Sequence, residues 1–180
     1  KGNSTILYSA TLSPYEFYKN SILPKIEAFG YSLPYPFDAQ NLLVLADYSI
    51  DTRYEKREFY YEKIARKIKL CIENAQKSIV VFFPSYKFLE SVYELCDFAV
   101  LKQESQMNAD DKANFLERFI SGKNCAFCVM GSHFSEGIEF LNLSGIVIVG
   151  VALPQFNQER ENIKEYFDKI DKGFEYAYLY

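Results

Sequence analysis

Ser78-Ile79-Val80-Val81-Phe82-Phe83-Pro84-Ser85-Tyr86 sets the fold of this 180-residue chain. Five β-branched or aromatic residues, Ile79 to Phe83, end at a proline, which reads as a buried strand with a sharp stop. A helical pattern from Tyr86 to Leu95 follows at once. The same unit recurs around it. Helical periodicity over Phe59–Asn74 precedes the strand, and a short strand over Phe98–Lys102 follows its helix. Asn108 is placed to cap a helix running to about Ile120, with Asp110 and Asp111 in the first turn, where the helix dipole favours carboxylates, and Gly122 just beyond its end. Cys125–Met130 then reads as a buried strand and Ile146–Gly150 as another. Strands alternating with helices of this length give a mainly parallel sheet covered on both faces, with right-handed crossovers. The expectation is an α/β, doubly wound, three-layer α/β/α architecture, taken as one domain over residues 1–180.

The flanks carry weaker signals. Ser4–Tyr8 and Leu42–Ala46 read as strands. Ser13 is placed as an N-cap with Pro14 in the first turn of a helix reaching about Ala28, ahead of Gly30. Residues 31–41, with Pro34, Pro36 and Asn41, read as a connection, and 51–58 is strongly charged. A last helix is expected over Gln158–Lys169, before an aromatic tail, Phe174–Tyr180.

Composition narrows the function. Half the residues are apolar, and aromatic content is high without tryptophan, so a well-packed core is expected. A net charge of −4 argues against a protein that coats nucleic acid non-specifically, although a local basic stripe is compatible with it. No apolar run approaches a membrane span, and the first residues lack the form of a signal peptide, so the expectation is a soluble, intracellular protein. Cys125 and Cys128 have C-x-x-C spacing, but on a strand positions i and i+3 face opposite ways. With no second such pair, Cys71, Cys96, Cys125 and Cys128 are read as core thiols and no metal site is expected.

In such a sheet ligands bind beyond the carboxyl ends of the strands. Four stretches fall there: Ser9–Thr11, Ser85 with Tyr86, Gln103 with Glu104, and Gly131–Glu139. In the last, Ser135 offers a hydroxyl, Gly137 allows close backbone approach, and Glu136 and Glu139 offer acceptors. Hydroxyls, amides and small residues on one rim suit a phosphate backbone. No G-x-x-x-x-G-K-[ST] loop, no G-x-G-x-x-G and no strand-end acidic pair for magnesium is present, and the single His133 has no nucleophile partner. Asp110-Asp111 opens a helix and reads as capping.

Read in order, Ser9-Ala10-Thr11-Leu12-Ser13-Pro14, Val81-Phe82-Phe83-Pro84-Ser85-Tyr86, Phe134-Ser135-Glu136-Gly137-Ile138-Glu139-Phe140 and Gly150-Val151-Ala152-Leu153-Pro154 resemble motifs III, IV and V and the following strand-plus-proline segment of the XPD/DinG-type, iron–sulfur superfamily 2 DNA helicases. Tyr54-Glu55-Lys56-Arg57-Glu58 and Gln158-Glu159-Arg160 are similar to charged and polar segments of the same family. The resemblance spans nearly the whole chain. It implies the second RecA-like motor domain of an ATP-dependent helicase, with residues 1–14 as the closing strand and motif III of motor domain 1. ATP and Mg2+ would be shared with that first domain, the iron–sulfur cluster would lie elsewhere in the protein, and single-stranded DNA and motor domain 1 would be the partners. The compartment would be the cytoplasm in a prokaryote and the nucleus in a eukaryote.

By the same resemblance Glu136, Gly137 and Glu139 carry the catalytic coupling, and Thr11 and Ser135 link ATP to movement. Ser85, Tyr86, Arg57, His133 and Phe134 are the candidate DNA contacts. Two departures stand out: Glu139 replaces the family's usual Asp, and the Gln-x-x-Gly-Arg-x-x-Arg motif VI is absent. With the Walker motifs also absent, the chain alone is expected to be inactive, and its ends suggest a fragment. The competing readings are a non-catalytic RecA-like platform for nucleic acid or protein, and a small-molecule α/β enzyme using Glu136 or Glu139 as a base.

Overall fold

The computed structural model describes residues 4–9, 12–135, 137–151, 153 and 156–179. These fall into two compact units, Ala46–Leu153 and Lys1–Leu45 together with Pro154–Tyr180.

The larger unit is built around a four-stranded parallel sheet. In chain order it contains α2 (Tyr61–Asn74), β1 (Ser78–Phe83), α3 (Tyr86–Tyr93), β2 (Leu101–Lys102), α4 (Ala109–Ile120), β3 (Cys125–Val129) and β4 (Leu143–Ile148); α1 belongs to the smaller unit. The strand order is β2-β3-β1-β4, with every pair parallel. β1 and β3 lie in the interior of the sheet, and their side chains divide between two cores by the period of two. Ile79, Val81, Phe83, Cys125, Phe127 and Val129 face Ile64, Ala65 and Ile68 of α2 and Phe88, Leu89 and Val92 of α3. Val80, Ala126 and Cys128 face the opposite way, against Phe115 and Phe119 of α4 and Phe134. Helices therefore cover both faces, and the layered α/β/α expectation holds.

Cys125 and Cys128 land in different cores, as their strand spacing requires, and burial pushes both thiols above their ordinary range, Cys128 to about 12. Cys96 is partly buried and likewise raised, to about 11. Cys71 is exposed, not a core thiol, because it occupies the outer face of the amphipathic α2.

The capping signal at Asn108 is realised in full: Asn108 accepts from the Asp111 amide at 2.9 Å, and Asp111 accepts from the Asn108 amide at 3.0 Å. Two expected strand limits shift. β2 is confined to its last two residues because Phe98 and Val100 turn into the first core before the chain reaches ladder register. β4 begins at Leu143, three residues early, because its pairing follows the start of β1, with an irregularity between Ser78 and Ile79; the Val149 amide then donates to Phe82 at 2.9 Å.

Ser4–Tyr8 and Leu42–Ala46 are not strands. Both are solvent-exposed and lack ladder partners among the described residues; apolar pattern alone does not supply the neighbour a strand needs. α1 runs Tyr15–Ile22, with Pro14 rather than Ser13 at the cap position, and it stops well before Ala28 because Pro24 disfavours helical backbone at Leu23. α5 is Gln158–Phe167, continued by a 3-10 turn to Ile170. The aromatic tail is a π-helical turn, Glu175–Leu179, rather than a strand. Arg160 donates to the Ala177 carbonyl and the Tyr178 hydroxyl to Glu161, which ties the turn to α5. Among the described residues no helix is long and apolar enough to cross a membrane.

Candidate nucleic-acid interface

The site is assembled at the carboxyl ends of β1, β2 and β3. Three of the four expected rim stretches meet there, in a cleft of about 380 Å3 lined by Tyr86, Gln103, Glu104, Lys112, Ser132 and His133 among others. For the fourth, Ala10 and Thr11 lie outside the described residues, and the segment before them forms no strand.

β1 delivers Ser85 and Tyr86. Pro84 ends the strand, and the Ser85 hydroxyl accepts from the Phe88 amide at 3.3 Å, so Ser85 is the N-cap of α3. Its hydroxyl proton is not used by that bond. Tyr86 is half-buried with its hydroxyl at the cleft; burial first, then the nearby Cys128, raises its pKa above the ordinary phenol value. The neutral, proton-donating form is therefore held across the physiological range.

β2 delivers Gln103, which is only 4% exposed. Its side-chain Nε2 donates to the Tyr86 hydroxyl oxygen at 2.9 Å. Its Oε1 accepts from the Val129 amide at 2.9 Å and from the Ser132 hydroxyl at 3.1 Å. One amide thus joins the ends of all three strands. The sequence placed Gln103 on the rim but offered no sign of this role, because its partners lie on other strands.

β3 delivers the segment 131–139. The single Ser132 hydroxyl proton is shared between Gln103 Oε1 and the Val129 carbonyl, and the Ser132 carbonyl accepts from both the amide and the hydroxyl of Ser135, at 3.0 and 2.7 Å. Phe134 is 1% exposed and stacks at 4.6 Å on Phe115, so its ring faces the core and not a ligand. Phe140 packs edge-on against Phe119 at 5.1 Å, and Ile138 joins the same core. Between these anchors Gly137 and Glu139 are exposed. Gly137 has φ 69°, left-handed backbone that a side chain resists. His133 is exposed beside Phe134, and Glu136 lies outside the described residues.

Arg57 sits in the 3-10 turn Arg57–Tyr60, half-buried, with its guanidinium 4.6 Å from the Tyr54 ring centre and 4.8 Å from that of Phe88. Those rings hold it beside the start of α3, on the Ser85 side of the rim, and among the described residues it makes no ion pair. The residue is more than a solvated charge.

No group of three His, Cys, Asp or Glu side chains that could hold a metal ion occurs among the described residues. Cys125 and Cys128 lie in separate cores, so the pair does not fit a cluster.

The helicase C-terminal domain family matches residues 68–180. The chain belongs to that family. Within the helicase C-terminal domain, the match takes in the rim loops after β1, β2 and β3. The chain is 28% identical over 186 residues to ATP-dependent DNA helicase CHL1 of Scheffersomyces stipitis, covering 87% of this chain and 22% of that protein. It is 26% identical over 153 residues to ATP-dependent DNA helicase chl-1 of Caenorhabditis elegans, covering 74% and 18%. The chain thus spans about a fifth of the length of these curated relatives. In fold it is similar to a solved structure designated XPD_APO (TM-score 0.59, 17% identity, 72% of this chain and 28% of that one) and to S. tokodaii Xpd4 (TM-score 0.52, 24% identity, 72% and 26%). The helicase C-terminal domain described above accordingly has the RecA-like α/β fold.

Proposed function

We propose that this chain is the second motor domain of an ATP-dependent DNA helicase of the XPD/DinG type. Residues 1–14 would be the closing strand and motif III of motor domain 1. The observation that carries the reading is the convergence, in a helicase C-terminal domain, of the Ser85–Tyr86 loop and the Ser132–Glu139 loop on one cleft rim through Gln103.

In this reading Ser85, Tyr86 and Arg57 hold the phosphate backbone of single-stranded DNA. The two hydroxyls donate to phosphate oxygens and the guanidinium supplies charge, which makes binding largely sequence-independent and salt-sensitive. His133 borders the same path, and Phe134 serves by anchoring the loop. Ser135, Glu136, Gly137 and Glu139, with Thr11, are assigned the relay of the nucleotide's state to the DNA contacts. ATP with Mg2+ binds between this domain and motor domain 1. ATP supplies the free energy of domain closure and opening, and any iron–sulfur cluster belongs to another part of the protein. Such a protein works on DNA inside the cell.

The test uses the protein at its full natural length. ATP turnover is expected to rise on adding single-stranded DNA, and Glu139→Gln is expected to lower that stimulated rate at least tenfold with DNA affinity within about twofold of wild type, the pattern of a group that acts in the reaction rather than in binding. Residues 1–180 alone are expected to show no turnover. A full-length protein whose ATP turnover ignores DNA would overturn the motor reading and leave a non-catalytic platform.

A further inference from the structure

We propose that Gln103 is a positioning residue that aims the Tyr86 hydroxyl proton out of the protein, as a donor to a phosphate oxygen of the bound strand. The inference rests on the reading of the rim as a single-stranded DNA contact, and it names the group that makes Tyr86 competent there.

The argument is one of hydrogen-bond polarity. The Val129 backbone N–H can only donate, and it lies 2.9 Å from Oε1 of Gln103. That fixes the amide: its oxygen faces β3, and its NH2 must face Tyr86, 2.9 Å away. Facing a donor, the Tyr86 oxygen accepts, so its own proton turns elsewhere. Among the described residues nothing accepts that proton, and the hydroxyl borders the cleft shared with Lys112, Ser132 and His133. A tyrosine hydroxyl held in this sense is a ready donor to an anionic oxygen. With Gln103 buried, the amide has no room to turn over without setting NH2 against N–H at Val129, a cost that keeps it in place. The same Oε1 receives the Ser132 hydroxyl, whose residue in turn holds Ser135. The aim of Tyr86 and the seat of the loop after β3 therefore share one side-chain amide, through its NH2 and its oxygen respectively.

Gln103→Glu tests the polarity with almost no change of shape. At about pH 8.5 the carboxylate is ionised even if burial raises its pKa by several units. One oxygen still accepts from Val129, while the other accepts from Tyr86 and pulls the proton inward. The full-length protein is titrated with an oligothymidylate, using fluorescence anisotropy. Tyr86→Phe and Gln103→Glu are each expected to weaken binding roughly fivefold to tenfold, and the double variant no more than either alone. Gln103→Met, which offers no inward acceptor, is expected to lose less than about threefold. Equal losses in the Glu and Met variants, or losses that multiply in the double variant, would show a packing role and overturn the proposal while leaving the DNA reading intact.

A second readout needs no DNA. In protein labelled with fluorotyrosine, the Tyr86 resonance is assigned by its loss in Tyr86→Phe. Its titration is expected to move to higher pH in both Gln103 variants, because the phenolate loses a donor. An unmoved titration overturns the hydrogen-bond assignment. Should Tyr86→Phe bind DNA as wild type, the contact assigned to Tyr86 falls, and a shifted titration would show that Gln103 still orients the hydroxyl.

Discussion

The loop that leaves β1 and the loop that leaves β3 reach the same rim by different means. The first has almost no length: Pro84 stops the strand, Ser85 caps, and α3 begins at Tyr86. Its polar groups are presented by regular structure on either side. The second, over residues 130–142, has no helix or strand among its described residues, and it is fixed from beneath by Phe134, Ile138 and Phe140 and from the side by Gln103. In the first loop the residues that display are also the residues that hold. In the second the two tasks are divided, which lets Gly137 and Glu139 stand exposed on a packed base. A relay needs that division, because its exposed groups can respond to a ligand without unpacking the core.

The comparison breaks most readily at Phe134. Replacing it with Ala is expected to cost about 3–5 kcal/mol, the range for emptying a buried aromatic site. Urea unfolding reads this directly, and a loss below about 1 kcal/mol would mean that the loop is not held from beneath. Gly137→Val follows. At φ 69° a β-branched side chain is expected to cost about 1–2 kcal/mol. It should also depress DNA-stimulated ATP turnover more than DNA binding; equal losses in both would assign Gly137 to the first loop's kind of task.

Ser85→Ala removes the cap and is expected to cost about 1 kcal/mol. Thermal melting measures this, and weakened single-stranded DNA binding in the same variant would show display and support residing in one residue. Arg57→Ala is expected to leave stability within about 1 kcal/mol, since the arginine is only half-buried and makes no ion pair among the described residues. It should lower the slope of log affinity against log salt by about 0.7, the share of one phosphate contact on a single strand. An unchanged slope would remove Arg57 from the interface.

The smallest effect concerns pH. Cys125 and Cys128 have folded-state thiol values raised by burial above their unfolded value near 9. Their neutral forms thus contribute stability that is complete below that value and is lost as pH climbs toward about 12 for Cys128. Unfolding free energy is expected to be unaffected by these thiols through neutral pH and to decline at the alkaline end; Cys128→Ala should flatten part of that decline.

Much of the larger unit was legible in the chain itself. β1 and β3 are apolar over their whole length because both their faces are covered, and the Asn108–Asp111 pair announces its helix by local chemistry alone. Less was legible where a residue depends on a distant neighbour. Leu42–Ala46 has the composition of a buried strand and is exposed, because composition records an affinity for burial and not the presence of a partner. Phe134 is expected from the resemblance as a DNA contact beside His133, and only the position of Phe115 on α4 reveals which way its ring turns. Motif order found both rim loops, while Thr11 and Glu136 fall outside the described residues.

By itself, then, the sequence determined that β1 and β3 are buried strands, that Asn108 caps its helix, and which polar loops end β1, β2 and β3, since each rests on short-range sterics and periodicity. The tertiary structure alone decided that Gln103 closes those loops into one site. Its three partners, Tyr86, Val129 and Ser132, come from chain segments made adjacent only by the strand order β2-β3-β1, and a hydrogen bond's direction is set by which donors meet which acceptors in space.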